Sequence, residues 1–273
     1  MAIPPAPLTI ALAVLGLLGG SVLNVVAHRG PRLWGLTDAP DGGGDSEDRY
    51  DLFAPRSHCP ACGRTLSPVE LIPLLSWIGL RGRCRTCGAR IGARYPAMEA
   101  AGLGAGVLCA FAYPGAAALP ALLFCLLILG AAVIDAETGY LPDALTGPAV
   151  WTALLASAFG LGAPPAAAIL GAAAGYLAFR AIAAAYEGAR GREGLGRGDA
   201  KLLAAGGAWL GPLALPLVVF AAAAAGLAFA LATGRREGGD AVRFGPFLAA
   251  GILLAIGVVA ALPGRVVPAW PGG

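Results

Sequence analysis

Charged side chains are scarce in this sequence: they make up 13% of its 273 residues, against 58% for hydrophobic ones. A water-soluble fold of that length would have nothing to put on its surface, so the composition excludes one and makes membrane lipid the expected surrounding. Basic residues are missing ahead of the first apolar run, Leu8 to Ala27, while His28, Arg29 and Arg32 follow it. That order argues against a cleaved secretory signal and predicts a first helix with its N-terminus outward and the next loop inward. No internal repeat is recognisable, and no nucleic-acid partner is expected.

What the chain has in quantity is runs long enough to cross a bilayer, which takes about 20 apolar residues. They fall near 8–28, 97–114, 115–134, 144–163, 165–186, 212–234 and 244–264. An eighth, 200–211, is short, since a dozen helical residues cover only about 18 Å. A single crossing between Asp199 and Gly234 would leave Arg235, Arg236 and Arg243 outside, whereas a hairpin at Gly211-Pro212 returns them inside. The hairpin is preferred, which gives an all-α polytopic membrane protein of about eight transmembrane or membrane-embedded helices. Every Lys and Arg outside the spans except Arg265 then falls in the loops 29–96, 187–201 or 235–243. The first of these runs from Arg29 past Arg94 and holds 10 of the 19 basic residues. The expected division is a first transmembrane helix over 1–28, a cytoplasmic loop domain over 29–96, and a helical membrane domain over 97–273. Within the loop, Asp38 to Asp51 reads as a flexible acidic excursion. Glycines four apart at Gly16/Gly20, Gly102/Gly106 and Gly171/Gly175 mark faces on which helices can pack closely.

Two CxxC knuckles lie in that loop, Cys59-Pro-Ala-Cys62-Gly and Cys84-Arg-Thr-Cys87-Gly, each with a glycine for the tight turn. The spacing fits a zinc-ribbon-like site with Cys59, Cys62, Cys84 and Cys87 as ligands. Four thiolates leave zinc no open position for water, so the expected metal is structural and not hydrolytic. A reducing compartment makes disulfides there unexpected. His58 is not expected among the ligands, and the isolated Cys109 and Cys125 read as small hydrophobes in helix packing.

Asp135 ends an apolar run, and Asp199 opens a helix after Gly196-Arg197-Gly198. The topology puts both at the cytoplasmic border of the membrane, where an ionisable group is costly unless paired or hydrated. Two adjacent carboxylates can hydrolyse a peptide bond if one is ionised, to take a proton from water, and one is protonated, to polarise the scissile carbonyl; close like charges favour that split. Helix polarity suggests Asp199 as the base and Asp135 as the proton carrier, with the roles free to exchange during turnover. Among competing acids, Asp143 after Pro142 reads as a helix cap and Glu137 as solvated, while Glu99 is a candidate to bind substrate or pair with an arginine. Ser21 and Asn24 read as interhelical hydrogen-bonders, and Lys201 as a snorkelling side chain or a counter-charge beside the acids.

These residues together resemble the type IV prepilin peptidases. The likeness runs through Gly20-Ser21-Val22-Leu23-Asn24-Val25-Val26, Pro55-Arg56-Ser57-His58-Cys59-Pro60, Ile72-Pro73-Leu74-Leu75-Ser76-Trp77 and Arg81-Gly82-Arg83-Cys84-Arg85. It continues through Arg94-Tyr95-Pro96 with Glu99, Ile134-Asp135, Leu141-Pro142-Asp143, and Gly196-Arg197-Gly198-Asp199-Ala200-Lys201, a GxGD motif with its trailing lysine. The resemblance implies that Asp135 and Asp199 are catalytic, supported by Gly196, Gly198, Lys201 and Glu99. It also implies a multi-pass protein of the bacterial inner membrane that removes a short basic leader after glycine, at the cytoplasmic face, from prepilins and type II secretion pseudopilins. N-methylation of the new amino terminus with S-adenosylmethionine follows from the resemblance only, since no motif for that cofactor is visible. The acidic stretch Asp38 to Asp51, and Val69-Glu70-Leu71 in place of more polar residues, depart from the family pattern and bear on methylation more than on cleavage. Rival readings are a methylation-only or leader-binding membrane protein and a proton-coupled transporter. The intact GxGD argues against the first; the lack of inverted repeats and the placement of both acids at one face argue against the second.

Overall fold

The computed structural model of the chain describes residues 4–37, 50–191, 196–233 and 243–262. Most of the acidic stretch from Asp38, with Arg235, Arg236 and Arg265, lies outside them. Among the described residues there are helices and no strand, apart from isolated bridges at His58–Thr65 and Arg83–Arg90. The helices are α1 (Ala6–Leu33), α2 (Leu75–Gly79), α3 (Arg94–Ala112), α4 (Ala118–Thr138), α5 (Asp143–Ala158), α6 (Pro165–Arg190), α7 (Arg197–Leu210), α8 (Leu215–Ala232) and α9 (Gly245–Ala261). Setting aside the short α2, each matches one of the eight segments expected from hydropathy. Five spans, Ala6–Leu33, Arg94–Ala112, Gly115–Thr138, Pro165–Arg190 and Pro212–Ala232, are long and apolar enough to cross a membrane.

The chain divides into two compact units, one over 6–107 and one over 108–273 with the first five residues. In the first unit, α1 and α3 meet on bare backbone. A Cβ on Gly16 would run into the Gly102 carbonyl, one on Gly102 into that of Gly16, and one on Gly106 into that of Leu12. Asn24 adds the expected interhelical bond, its Nδ2 donating to the Tyr95 carbonyl at 3.1 Å. Buried Arg29 pins the returning loop by donating to the carbonyls of Asp51 (2.9 Å) and Pro55 (2.6 Å).

In the second unit, α7 is the innermost element, with nearly every residue from Asp199 to Trp209 buried. Its small residues let α6 lie against it, where Gly171 and Gly207 face each other backbone to backbone. Gly211, at φ +81°, breaks the helix, and Pro212 starts the turn into α8. The chain leaves the level of Asp199 along α7 and is back beside Asp135 by Arg243 and Gly245. This out-and-back path matches the hairpin preferred from the distribution of arginines.

Candidate active site

Asp135 occupies the last turn of α4 and Asp199 the first turn of α7, with relative exposures of 6% and 7%. They are near enough for the charge of one to act on the other. The second unit thus brings together the two acids singled out in the sequence, although 64 positions separate them in the chain (199 − 135).

Each is gripped by a backbone amide. Gly196 is the N-cap of α7, and Asp199, three residues on, reaches back to accept a hydrogen bond from the Gly196 N–H. This is one half of a capping box, with Asp in the place of Glu or Gln. The two glycines of Gly196-Arg197-Gly198-Asp199 serve different purposes. A Cβ on Gly196 would press on Asp199 Oδ2 at 3.0 Å, whereas one on Gly198 would meet Leu141 Cβ at 2.5 Å. The first makes room for the carboxylate, and the second lets the start of α7 settle onto the connection between α4 and α5.

Asp135 receives its hydrogen bond from the other end of the unit. The N–H of Gly245, first residue of α9, donates to Asp135 Oδ2 at 3.1 Å in buried surroundings. Arg243 donates to the Ala136 carbonyl and brings its positive charge near Asp135. The carbonyl end of α4 alone would disfavour a charge on Asp135, but α9 presents the opposite end of a helix to the same carboxylate. Neither Gly245 nor Arg243 was anticipated. The only trace in the sequence is a Phe244-Gly245-Pro246 opening to an apolar run.

Other candidates fall elsewhere. Lys201 Nζ lies 2.5 Å from Asp143 Oδ1, both well exposed, so the lysine partners that acid. Asp143 is the first residue of α5, with Pro142 at the N-cap, so its charge stands in the first turn of that helix. Glu99, in the first unit, accepts the Leu74 N–H through Oε2 at 2.7 Å. Cys109 and Cys125 are fully buried with their sulfurs 3.8 Å apart, as packing residues.

The four loop cysteines converge. The Sγ atoms of Cys59, Cys62, Cys84 and Cys87 lie within 4.8 Å of one another, with 3.8 Å between Cys59 and Cys87. A tetrahedral ion with metal–sulfur bonds of about 2.3 Å requires sulfurs about 3.8 Å apart, so the donor set fits a metal. The knuckles are built alike. Gly63 N–H donates to the Cys59 carbonyl (2.8 Å) and Gly88 N–H to that of Cys84 (3.0 Å), with φ of +69° and +71° at the glycines. His58 is not in the cluster, and its Nδ1 lies 3.1 Å from the Arg56 carbonyl oxygen.

Comparison with known proteins divides the chain at much the same place as its packing. The family model for a bacterial peptidase A24 N-terminal domain matches residues 14–113, and that for the type IV leader peptidase family matches 121–231. A prepilin leader peptidase/N-methyltransferase of Burkholderia pseudomallei (strain 1026b) is 48% identical over 262 residues, covering 90% of this chain and 84% of that one. Proteins of the same name from Dickeya chrysanthemi (43% identical, 88% and 89% covered) and Aeromonas salmonicida (strain A449; 39%, 86% and 86%) are also similar. No solved structure matches the chain.

Proposed function

The chain belongs to the type IV leader peptidase family, and from that premise we propose that Asp135 and Asp199 are the acids of a membrane aspartic endopeptidase that removes the leader from prepilins and type II secretion pseudopilins. The observation that carries this reading is the pair itself: two buried carboxylates, contributed by the end of one helix and the start of another, within reach of each other's charge. One takes a proton from the attacking water while the other, protonated, donates to the scissile carbonyl. They then return the proton to the leaving amine, so that the pair titrates as a unit. The leader is cut after glycine at the cytoplasmic face of the bacterial inner membrane, the side indicated by the basic residues of the first loop. N-methylation of the new amino terminus, with S-adenosylmethionine as donor, rests on the names of the relatives. We assign residues 29–96 to a cytoplasmic loop domain and 97–273 to the membrane peptidase domain. Zinc held by Cys59, Cys62, Cys84 and Cys87 supplies folding energy to the loop and has no open coordination position for chemistry.

The test is cleavage of a purified prepilin by the wild type and by Asp135→Asn and Asp199→Asn in detergent. Each variant is expected to lose about 10²- to 10⁴-fold in rate, the usual contribution of a positioned acid or base. The wild-type rate should rise and then fall with pH. Full activity in either variant, or a flat profile through the acid range, removes the assignment.

A further inference from the structure

Asp199 has its amide donor written into the motif that announces it, whereas the donor to Asp135 comes from a helix opening 110 positions further along (245 − 135). The two arrangements match. In each, a glycine beside a helix start turns its N–H to the carboxylate, and in each a Cβ on that glycine would press on the Oδ2 atom, at 3.0 Å for Gly196 and 2.6 Å for Gly245. Gly245 is also held firmly. On α9, Gly251 sits against the Val218 carbonyl of α8, where a Cβ would come within 2.6 Å, and Ile252 reaches to within 2.9 Å of where a Gly206 Cβ would lie on α7. Among the described residues, the Gly245 N–H is the only hydrogen-bond partner of the Asp135 carboxylate.

We propose that Gly245 is a positioning residue for the peptidase reaction. Its amide fixes Asp135 by Oδ2 and leaves Oδ1 for water and substrate, as the Gly196 amide fixes Asp199. This rests on the reading of Asp135 as a catalytic acid. Glycine is required at 245 for two reasons that act together. The donor must approach to hydrogen-bond distance, and any side chain there would occupy the space of the carboxylate it serves. Displacing a reacting group by even about 1 Å can cost about 10²-fold in rate without changing how substrate binds. The loss therefore belongs in kcat and not in KM.

The experiment compares full-length wild type, Gly245→Ala, Gly257→Ala and Asp135→Asn on a purified prepilin in detergent. Gly245→Ala is expected to lower kcat by about 10- to 100-fold with KM changed less than about twofold. Gly257→Ala, on the same helix at a point where a Cβ would meet only Leu108 Cδ1 at 3.7 Å, should keep kcat per folded molecule within about threefold. Equal loss of kcat in both glycine variants, or a rise in KM alone for Gly245→Ala, overturns the proposal.

A second readout needs no crowded variant. Labelling phenylalanine carbonyls with ¹³C and glycine amides with ¹⁵N selects just two Phe-Gly pairs, Phe159-Gly160 and Phe244-Gly245. The Gly245 amide proton should move with pH in the wild type and stay still in Asp135→Asn. An amide indifferent to that substitution defeats the proposal whatever the kinetics. Full cleavage by Asp135→Asn would instead strike the peptidase reading itself. A dead Asp135→Asn beside a fully active Gly245→Ala would remove the clamp alone.

Discussion

Glu70 carries a charge whose value can be read from its neighbours. Arg64 Nη2 donates to it at 2.5 Å, the Ser67 N–H at 2.9 Å and the Ser67 hydroxyl at 2.8 Å, and together they hold the carboxyl down at about 2, from an ordinary 4.5. A depressed carboxyl stabilises the fold fully above its unfolded value and loses that contribution as pH falls through its folded one. The stabilisation from Glu70 is thus complete above pH 4.5 and disappears on the way down to about 2. Glu70→Gln should accordingly speed amide exchange over residues 66–72 at neutral pH, and the ratio to wild type should shrink below pH 4.5. A ratio constant across that range would show that the carboxylate's charge contributes nothing. The spacing of Ser67 and Glu70 was visible in the sequence, but other contacts at this scale were not. Leu74 sits at φ +60° with its N–H turned to Glu99, and nothing about a leucine advertises a left-handed backbone. For the same reason a reader of side chains passes over Gly245, whose only donor is an amide that almost every residue has.

Between elements, the closest approach in the second unit is the crossing of α6 and α7, where Gly171 faces Gly207 and Gly175 lies against the Leu203 carbonyl, 2.7 Å from where its Cβ would be. Side chains are absent at the point of contact, so any added there must push the helices apart, at a cost of about 1–3 kcal/mol for ordinary overpacking. Since α7 also carries Asp199, the displacement should reach the proposed active site. Gly171→Leu is expected to lower both melting temperature and cleavage rate. Gly188→Leu on the same helix, where a Cβ meets open space, should do neither. Equal behaviour of the two would mean that the crossing does not position α7. The glycine spacing on α1, α3 and α6 made these crossings legible, because close packing in a membrane selects small residues at fixed intervals. Which helix each would meet was not legible, since apolar faces are nearly interchangeable in sequence.

At the scale of the whole molecule, the separation of charge from hydrocarbon makes the fold readable: eight apolar stretches and one cysteine-bearing loop can be counted in the sequence. The hairpin of α7 and α8 is preferred from the sequence because it keeps Arg235, Arg236 and Arg243 on one side. The division into two units predicts how the chain responds to losing metal. A strong chelator, or Cys59→Ser with Cys84→Ser, should release about one zinc per chain and abolish amide protection across Cys59–Ile91, while α4 to α9 stay protected. Protection lost everywhere at once would mean that the units unfold as one; wild-type protein without metal would end the zinc assignment. The start of α9 has a meaning in time as well as in space. A ribosome makes Asp135 first, Asp199 much later, and the amide that grips Asp135 only with the last described helix. On the assignment proposed above, a nascent chain that has reached Asp199 holds both acids but not yet the amide that fixes Asp135.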